Sequence, residues 1–275
     1  MTATARALVE STQVKSPDIK GPRNGRLRTA VLAVGFAALV LAGWDALVRW
    51  GPAEIRDANI LPLPESVFHA LVDLSTSPDI GEHILTTATE SVGGFLLGSA
   101  VGILGAILMQ YIPLLATLLT PYIVAFQVMP KVVLAPVFIT WLGFGMSPKL
   151  VTAAAIVFFP VLVNARLGLQ SVDGDALEMM KSLSATRMQT FRKVVVPAAL
   201  PAVMAGLVSA ATLAPIGALV AEFLSSQSGL GYLLLNYMNS LQTDYVFAGI
   251  VIISLLGFAL YGSIRLLEKR LVYWT

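Results

Sequence analysis

The sequence predicts an all-α membrane protein with six transmembrane helices, on three observations. Hydrophobic residues make up 56% of the 275 and charged residues only 12%, against roughly a quarter charged in soluble domains. Six separate runs reach the about 20 mainly apolar residues that a helix needs to cross the hydrocarbon layer. The basic residues between those runs fall mainly on one side, as the positive-inside rule requires. Cysteine is absent, which excludes disulfides, thiolate metal sites and thiol catalysis.

Residues 1–27 are polar, contain Pro, Gly, Lys and Arg, and carry no apolar helical period, which predicts a disordered cytoplasmic tail. A cleaved signal peptide fits poorly: the run Thr29–Val48 is long enough to span, and no small-residue cleavage site follows it. The transmembrane domain then occupies 28–275, with spans expected near 28–50, 83–110, 114–144, 148–169, 195–223 and 246–267. The third is too long for one untilted helix and contains Pro130 and Pro136. It is read as one kinked helix, since neighbouring helices satisfy backbone groups freed by proline, with a re-entrant segment plus a helix as the alternative. Residues 51–82 form an extracytoplasmic loop in which Pro64–Leu71 reads as a short amphipathic helix along the membrane surface. Glu65 or Ser66 would cap it, and Val67, Leu71 and Leu74 would line one face.

The tail carries Arg6, Lys15, Lys20, Arg23, Arg26 and Arg28; the loop after span four carries Arg166, Lys181, Arg187, Arg192 and Lys193; the C-terminus carries Arg265, Lys269 and Arg270. The opposite side has only Arg49, Arg56 and Lys149 among seven acidic residues. Both termini and the loop 170–196 are therefore expected in the cytoplasm, which an even number of spans allows.

That loop holds the most informative segment, Asp175–Pro201, polar and basic between two apolar runs. A short helix there carries Glu178, Lys181, Arg187, Arg192 and Lys193, with an apolar face of Leu177, Met180, Leu183, Met188 and Phe191. Such a helix fits a groove on a soluble partner, and methionine adapts well to such contacts. The bland alternative is a surface loop kept basic only for topology.

Glu178 is followed by Ser184 six residues on, and Val194-Val195-Val196-Pro197 opens the next span. This spacing resembles the cytoplasmic coupling loop of ABC-importer permeases: Glu-Ala-Ala, three residues, Gly, nine residues, Ile-x-Leu-Pro. Met179 and Met180 replace the alanines and Ser184 the glycine; a non-glycine at that turn must avoid or tolerate positive φ. From about Leu61 the chain is similar to the nitrate/sulfonate/taurine family of ABC permeases, which includes thiamine-precursor and vitamin transporters. Besides the coupling loop, the matching pieces are Leu61–Pro64, Met129–Gly145, Phe158–Asp173 and Ile216–Leu234.

The resemblance implies a type I ABC importer permease fold, like that of methionine importers, in the cytoplasmic (inner) membrane. It implies a second permease copy (a homodimer), two cytosolic ATP-binding subunits and an extracytoplasmic solute-binding protein. ATP and Mg would then sit on the partner ATPase, with no cofactor on this chain. It places Asp175, Leu177, Glu178, Met180, Lys181, Leu183, Ser184, Arg187, Phe191 and Pro197 in the ATPase-coupling segment, with Glu178 at the motif's acidic position, near the helix start, where it complements the dipole. Glu222 lies where the family has an acidic residue, a gate or a binding-protein contact; a solvated loop-edge charge is the simpler view.

Lys131 is an intramembrane ammonium between two prolines and by default a functional candidate. If it faces the pore it favours an anionic or electron-rich solute. The alternatives are snorkelling to an interface or pairing with Glu90, Asp45 or Glu222. Gln127, Pro130, Lys131, Asn164 and Glu222 are the candidates for the translocation pathway, although interhelical hydrogen bonding accounts for Gln127 or Asn164 taken singly. His69 and His83 have no ligand spacing, so no metal site is expected. Gly94, Gly98, Gly102 and Gly105 form a small-residue face on span two. No phosphate-binding loop with Gly-Lys-Ser/Thr occurs, so this subunit is not expected to bind nucleotide. Nucleic acid is not an expected partner.

The functional expectation is a permease subunit of a binding-protein-dependent importer for a small organic or anionic solute. The alternative is an ion-gradient-driven secondary transporter, which needs intramembrane carboxylate pairs or broken helices at matching places in two halves. Asp45 and Glu90 alone do not supply these. An intramembrane protease is not supported: no Gly-x-Ser-x-Gly and no His-Glu-x-x-His occurs.

Overall fold

The computed structural model describes residues 25–52, 54, 57 and 59–273, of which 25–27 are described by backbone alone. The expected tail thus lies outside the described residues except for Gly25–Leu27, which open the first helix; Arg56 lies outside them too. α1 (Gly25–Trp50) is a compact unit by itself, and within it Arg49 Nε donates to Asp45, one turn back, at 2.8 Å.

The second unit holds α2 (Pro64–Thr76), α3 (Ile80–Tyr111), α4 (Pro113–Val128), α5 (Leu134–Leu142) and α6 (Met146–Gln170). It continues with α7 (Gly174–Ser182), α8 (Arg187–Thr190), α9 (Val196–Ser225), α10 (Leu230–Asn239) and α11 (Thr243–Leu271). The described residues contain no strand. α1, α3, α6, the continuous α8–α9 rod and α11 are each long and apolar enough to cross a membrane, and α4 with α5 reaches that length only as a bent pair, the geometry of a broken span or a re-entrant loop.

α6 lies between α3 and α9, and small residues let all three backbones approach. The glycine stripe of α3 faces α6: a Cβ on Gly94 would lie 2.3 Å from Ala153 Cβ, and one on Gly98 2.5 Å from the Ala154 carbonyl oxygen. From the other side, a Cβ on Gly217 of α9 would lie 2.6 Å from Ala153 Cα. Ala153, Ala210, Ala214, Ala218 and Ala221 are fully buried along these contacts. A hydrocarbon solvent gives apolar side chains no drive to associate, so close packing of this kind holds such helices together.

The third span departs from the kinked helix expected. α4 and α5 meet at 92° across a short break followed by one 3₁₀ turn, Lys131–Val133. Pro130 causes the break. A residue before proline is driven out of the helical region, and Met129 is extended, with φ −68° and ψ 135°. Pro136 falls in the first turn of α5, where no intrahelical N–H is missed, and so bends nothing.

α2 runs five residues beyond the expected Leu71, to Thr76. Glu65 and Ser66 lie inside it rather than capping it; Leu63 is the cap residue, without a side-chain hydrogen bond, and Pro64 opens the first turn. Its face of Val67, Ala70 and Leu74 is buried, with Leu71 at the margin, where α10 and α11 contribute Leu233, Tyr237 and Ala248. Burial there pushes the Tyr237 phenol above its ordinary value.

Candidate functional site

The segment singled out by sequence is a helical hairpin, α7 and α8, between the long helices α6 and α9. Asp173 caps α7 by accepting from Asp175 N at 3.1 Å. Asp173 and Asp175 therefore complement the dipole, and Glu178 sits mid-helix instead of near its start. The far end of α7 is a Schellman turn: Ser184 N donates to Lys181 O at 2.9 Å and Ala185 N to Met180 O at 3.0 Å. Ser184 occupies its left-handed position with φ 51°. Serine thus adopts the glycine conformation. α8 opens with a capping box, Thr186 Oγ1 accepting from Gln189 N and Gln189 Oε1 from Thr186 N; the Thr-x-x-Gln pattern was readable in the sequence and was missed.

A five-residue π-helical stretch, Phe191–Val195, joins α8 to α9. Pro197 has no N–H for the Lys193 carbonyl, and Val196 N bonds Phe191 O across the wider ring. Pro197 therefore opens α9 without interrupting the rod.

The apolar face expected on the hairpin divides in two. Met180 is buried, and Leu177 and Phe191 are half-buried in a cleft with Gln110, Tyr111, Thr190 and Val195. Tyr111 and Phe191 meet edge to face at 5.9 Å. Leu177 and Phe191 thus share this cleft with the last two residues of α3. The outward apolar residues are Met179, Leu183 and Met188, exposed by 55%, 69% and 63%, beside exposed Glu178, Lys181 and Arg187. Met179 was not foreseen on this face.

Lys131 sits at the break in the third span. Its Nζ donates to the Gln127 carbonyl at 3.3 Å and lies 5.2 Å from the Phe159 ring centroid, a cation–π geometry. Of the carboxylates proposed as partners, the two in the same unit are engaged elsewhere: Glu90 pairs with Lys149, and Glu222 accepts from Thr87; Asp45 of α1 pairs with Arg49. Gln127 lines a groove between α4 and α6 with Thr120, Arg166 and Gln170, and Arg166 donates to Thr120 Oγ1 at 2.9 Å. Asn164 is elsewhere: it donates to the Pro160 carbonyl at 2.8 Å and faces Gly206 of α9. The structure brings together Gln127, Pro130 and Lys131, but not Asn164 or Glu222.

Glu222 is 1% exposed, so the solvated loop-edge reading fails. It belongs to a buried polar cluster, at the end of α3 and α6 remote from the hairpin, with Glu90, Lys149 and Thr87. Lys149 Nζ donates to Glu90 Oε1 and to Ser226 Oγ, both at 2.7 Å. Sequence reasoning assigned Lys149 to a solvent-facing side and missed this pair. The only signal was a lone opposite charge near the ends of two apolar spans. Among the described residues no group of three or more His, Cys, Asp or Glu could hold a metal ion.

The long apolar helices and their glycine-packed core define a membrane-embedded helical protein. Residues 94–273 match the family of binding-protein-dependent transport system inner membrane components, and the chain belongs to that family. It is 34% identical to the formylaminopyrimidine transport permease protein ThiX of Halalkalibacterium halodurans, over 87% of this chain and 94% of the relative. It is 33% identical to the riboflavin transport system permease protein RibX of Chloroflexus aurantiacus, over 86% and 87% respectively. A solved structure of an amino acid ABC transporter superposes with a TM-score of 0.55 at 19% identity, covering 74% of this chain and 98% of that one, which shows a shared fold. The relatives are transport permeases, not enzymes.

Proposed function

We propose that this chain is the permease subunit of an ATP-driven, binding-protein-dependent importer for a small organic solute, coupled to its motor through the α7–α8 hairpin. Family membership favours ATP-driven import over an ion-gradient mechanism. The functional unit is two copies of this chain, two cytosolic ATP-binding subunits and an extracytoplasmic solute-binding protein. Both termini and the hairpin face the cytoplasm, a reading supported by the excess of Lys and Arg on that side.

The observation that carries the coupling reading is the outward face of the hairpin. Three large apolar side chains, Met179, Leu183 and Met188, stand exposed among charges on the basic segment between α6 and α9. Apolar side chains clustered on a charged surface mark a docking site. The hairpin is rooted in α6 on one side and runs into α9 on the other, and these helices interlock through Gly217 and Ala153. Motor closure against the hairpin therefore moves both helices together, and differential nucleotide and solute affinity shifts an inward–outward equilibrium.

Gln127, Pro130 and Lys131 at the break of the third span are the pathway residues this reading retains. An ammonium over an aromatic face suits a planar, electron-rich or anionic solute, which accords with the heteroaromatic solutes named for the two relatives. Purified permease, ATPase and binding protein in vesicles should import such a solute only with ATP. Glu178→Lys should reduce uptake by at least about tenfold, about 1.4 kcal/mol in activation free energy, while leaving the protein in the membrane. Uptake by this variant at the native rate would remove Glu178 from the coupling role.

A further inference from the structure

The buried cluster at the end of the core opposite the hairpin holds two carboxyl groups and one ammonium. Glu90 is 0%, Glu222 1% and Lys149 6% exposed. Glu222 accepts at both oxygens: Oε1 from Thr87 Oγ1 at 2.6 Å, Oε2 from Gly231 N. Thr87 Oγ1 accepts in turn from Leu230 N at 2.8 Å, so its own proton is committed to Glu222. Glu90 Oε1 accepts from Lys149, but Glu90 Oε2 is buried and has no hydrogen-bond partner. Thr87 and Glu90 lie one turn apart on α3, and Thr87 bonds Glu222 while Lys149 joins Glu90 to Ser226, four residues beyond Glu222, so the two carboxyls share one buried cluster. The other titratable groups facing the cluster are His83 from α3, whose Nδ1 accepts from Gly229 N at 3.0 Å, and Tyr232 from α10, stacked on His83. Neither brings a second positive charge: a ring nitrogen that accepts from an amide is unprotonated.

Two carboxylates against one ammonium leave a buried negative charge, which a desolvated site does not tolerate. A proton on Glu90 Oε2, donated to the Glu222 carboxylate, balances the charge and satisfies the orphaned oxygen in one step. The groups so joined fasten the turn Ser226–Gly231 between α9 and α10: Lys149 holds Ser226, Glu222 holds Gly231, and Thr87 holds Leu230. The turn is built around the carboxylate, since a Cβ on Gly229 would lie 2.3 Å from Glu222 Oε1.

We propose that Glu90 carries a proton shared with Glu222, and that with Lys149 this proton-binding pair positions the Ser226–Gly231 turn on α3 and α6, locking the non-hairpin end of the permease for the transport step. Glu90, Glu222 and Lys149 are positioning residues; none is assigned to the solute. Loss of the proton to alkaline solvent returns the excess negative charge and releases the turn. The link to transport rests on the importer reading above, but the lock is testable without it.

Hydrogen exchange at the amides of Leu230 and Gly231 in the full chain, in lipid nanodiscs, reads the lock directly, and ATP-driven uptake reads its consequence. In the wild type the opened fraction should grow by up to about tenfold per pH unit once the proton is lost, beyond the intrinsic rise in exchange. Glu90→Gln mimics the protonated acid, with Oε1 accepting from Lys149 and Nε2 donating to Glu222. It should keep the turn protected and flatten the alkaline response, so that its uptake relative to wild type rises with pH. Glu222→Gln places an amide donor against Gly231 N or Thr87 and should expose the turn at every pH. Exchange in Glu90→Gln that is faster than wild type at neutral pH overturns the proposal, because Glu90 would then be needed as an anion. So does an alkaline opening that Glu90→Gln fails to remove. A protected turn in Glu90→Gln without ATP-dependent uptake by any form would count against the importer reading and leave the lock standing.

Discussion

Ser184 holds a backbone conformation that costs an L-residue about 1 kcal/mol or more and glycine almost nothing, with φ at 51°. Ser184→Gly should therefore stabilise the α7–α8 turn by about 1 kcal/mol, read as slower hydrogen exchange at Ala185, whose amide closes the turn on Met180 O. Unchanged or faster exchange would mean that the serine side chain offsets its backbone strain. This residue was legible in advance, because its place in a spaced motif defined the turn it must make. The pair Glu90–Lys149 was not. Its members lie 59 positions apart, and each reads singly as a span-edge charge whose partner only the packing of α3 on α6 reveals. Lys131 was legible as an unusual cation, but its neighbours Gln127 and Phe159 depend on the angle of the break beside it.

Among the elements, the glycine face of α3 was fully readable from its spacing, and it packs as a small-residue face does. Gly98→Val should force α3 off α6, since even a Cβ there would lie 2.5 Å from the Ala154 carbonyl oxygen and 3.0 Å from Val157 Cβ. Overpacking of that kind costs about 1–3 kcal/mol. Thermal unfolding in detergent should show it against Gly35→Val on α1, where a Cβ would meet nothing within 4 Å. Equal stability of the two variants would refute the close-packing account. The third span marks the limit of pattern reading. Two prolines announced a distortion, yet which one acts follows from where each falls relative to a helix start, a boundary that apolar periodicity does not resolve. The apolar face of α7 shows the same limit: periodicity offered Leu177 and Met180 to a partner, but Met180 is buried within the chain and Leu177 lines a cleft with Gln110 and Tyr111. The outward surface falls to Met179, Leu183 and Met188.

For the molecule as a whole, a glycine- and alanine-packed core of α3, α6 and α9 carries a basic hairpin at one end and a buried acid–lysine cluster at the other. The backbones of α3, α6 and α9 approach closely at Gly98, Gly217 and Ala153, and on the coupling proposed above these contacts would carry motion of the hairpin to the far end. The account thus depends on the hairpin standing in the cytoplasm, within reach of a motor subunit. The chain contains no cysteine, so Arg187→Cys supplies a single thiol on the exposed face of the hairpin. A membrane-impermeant maleimide should label it in inside-out vesicles but not in intact cells, and bound ATPase subunit should slow the labelling. Labelling from the outside of intact cells would contradict the account.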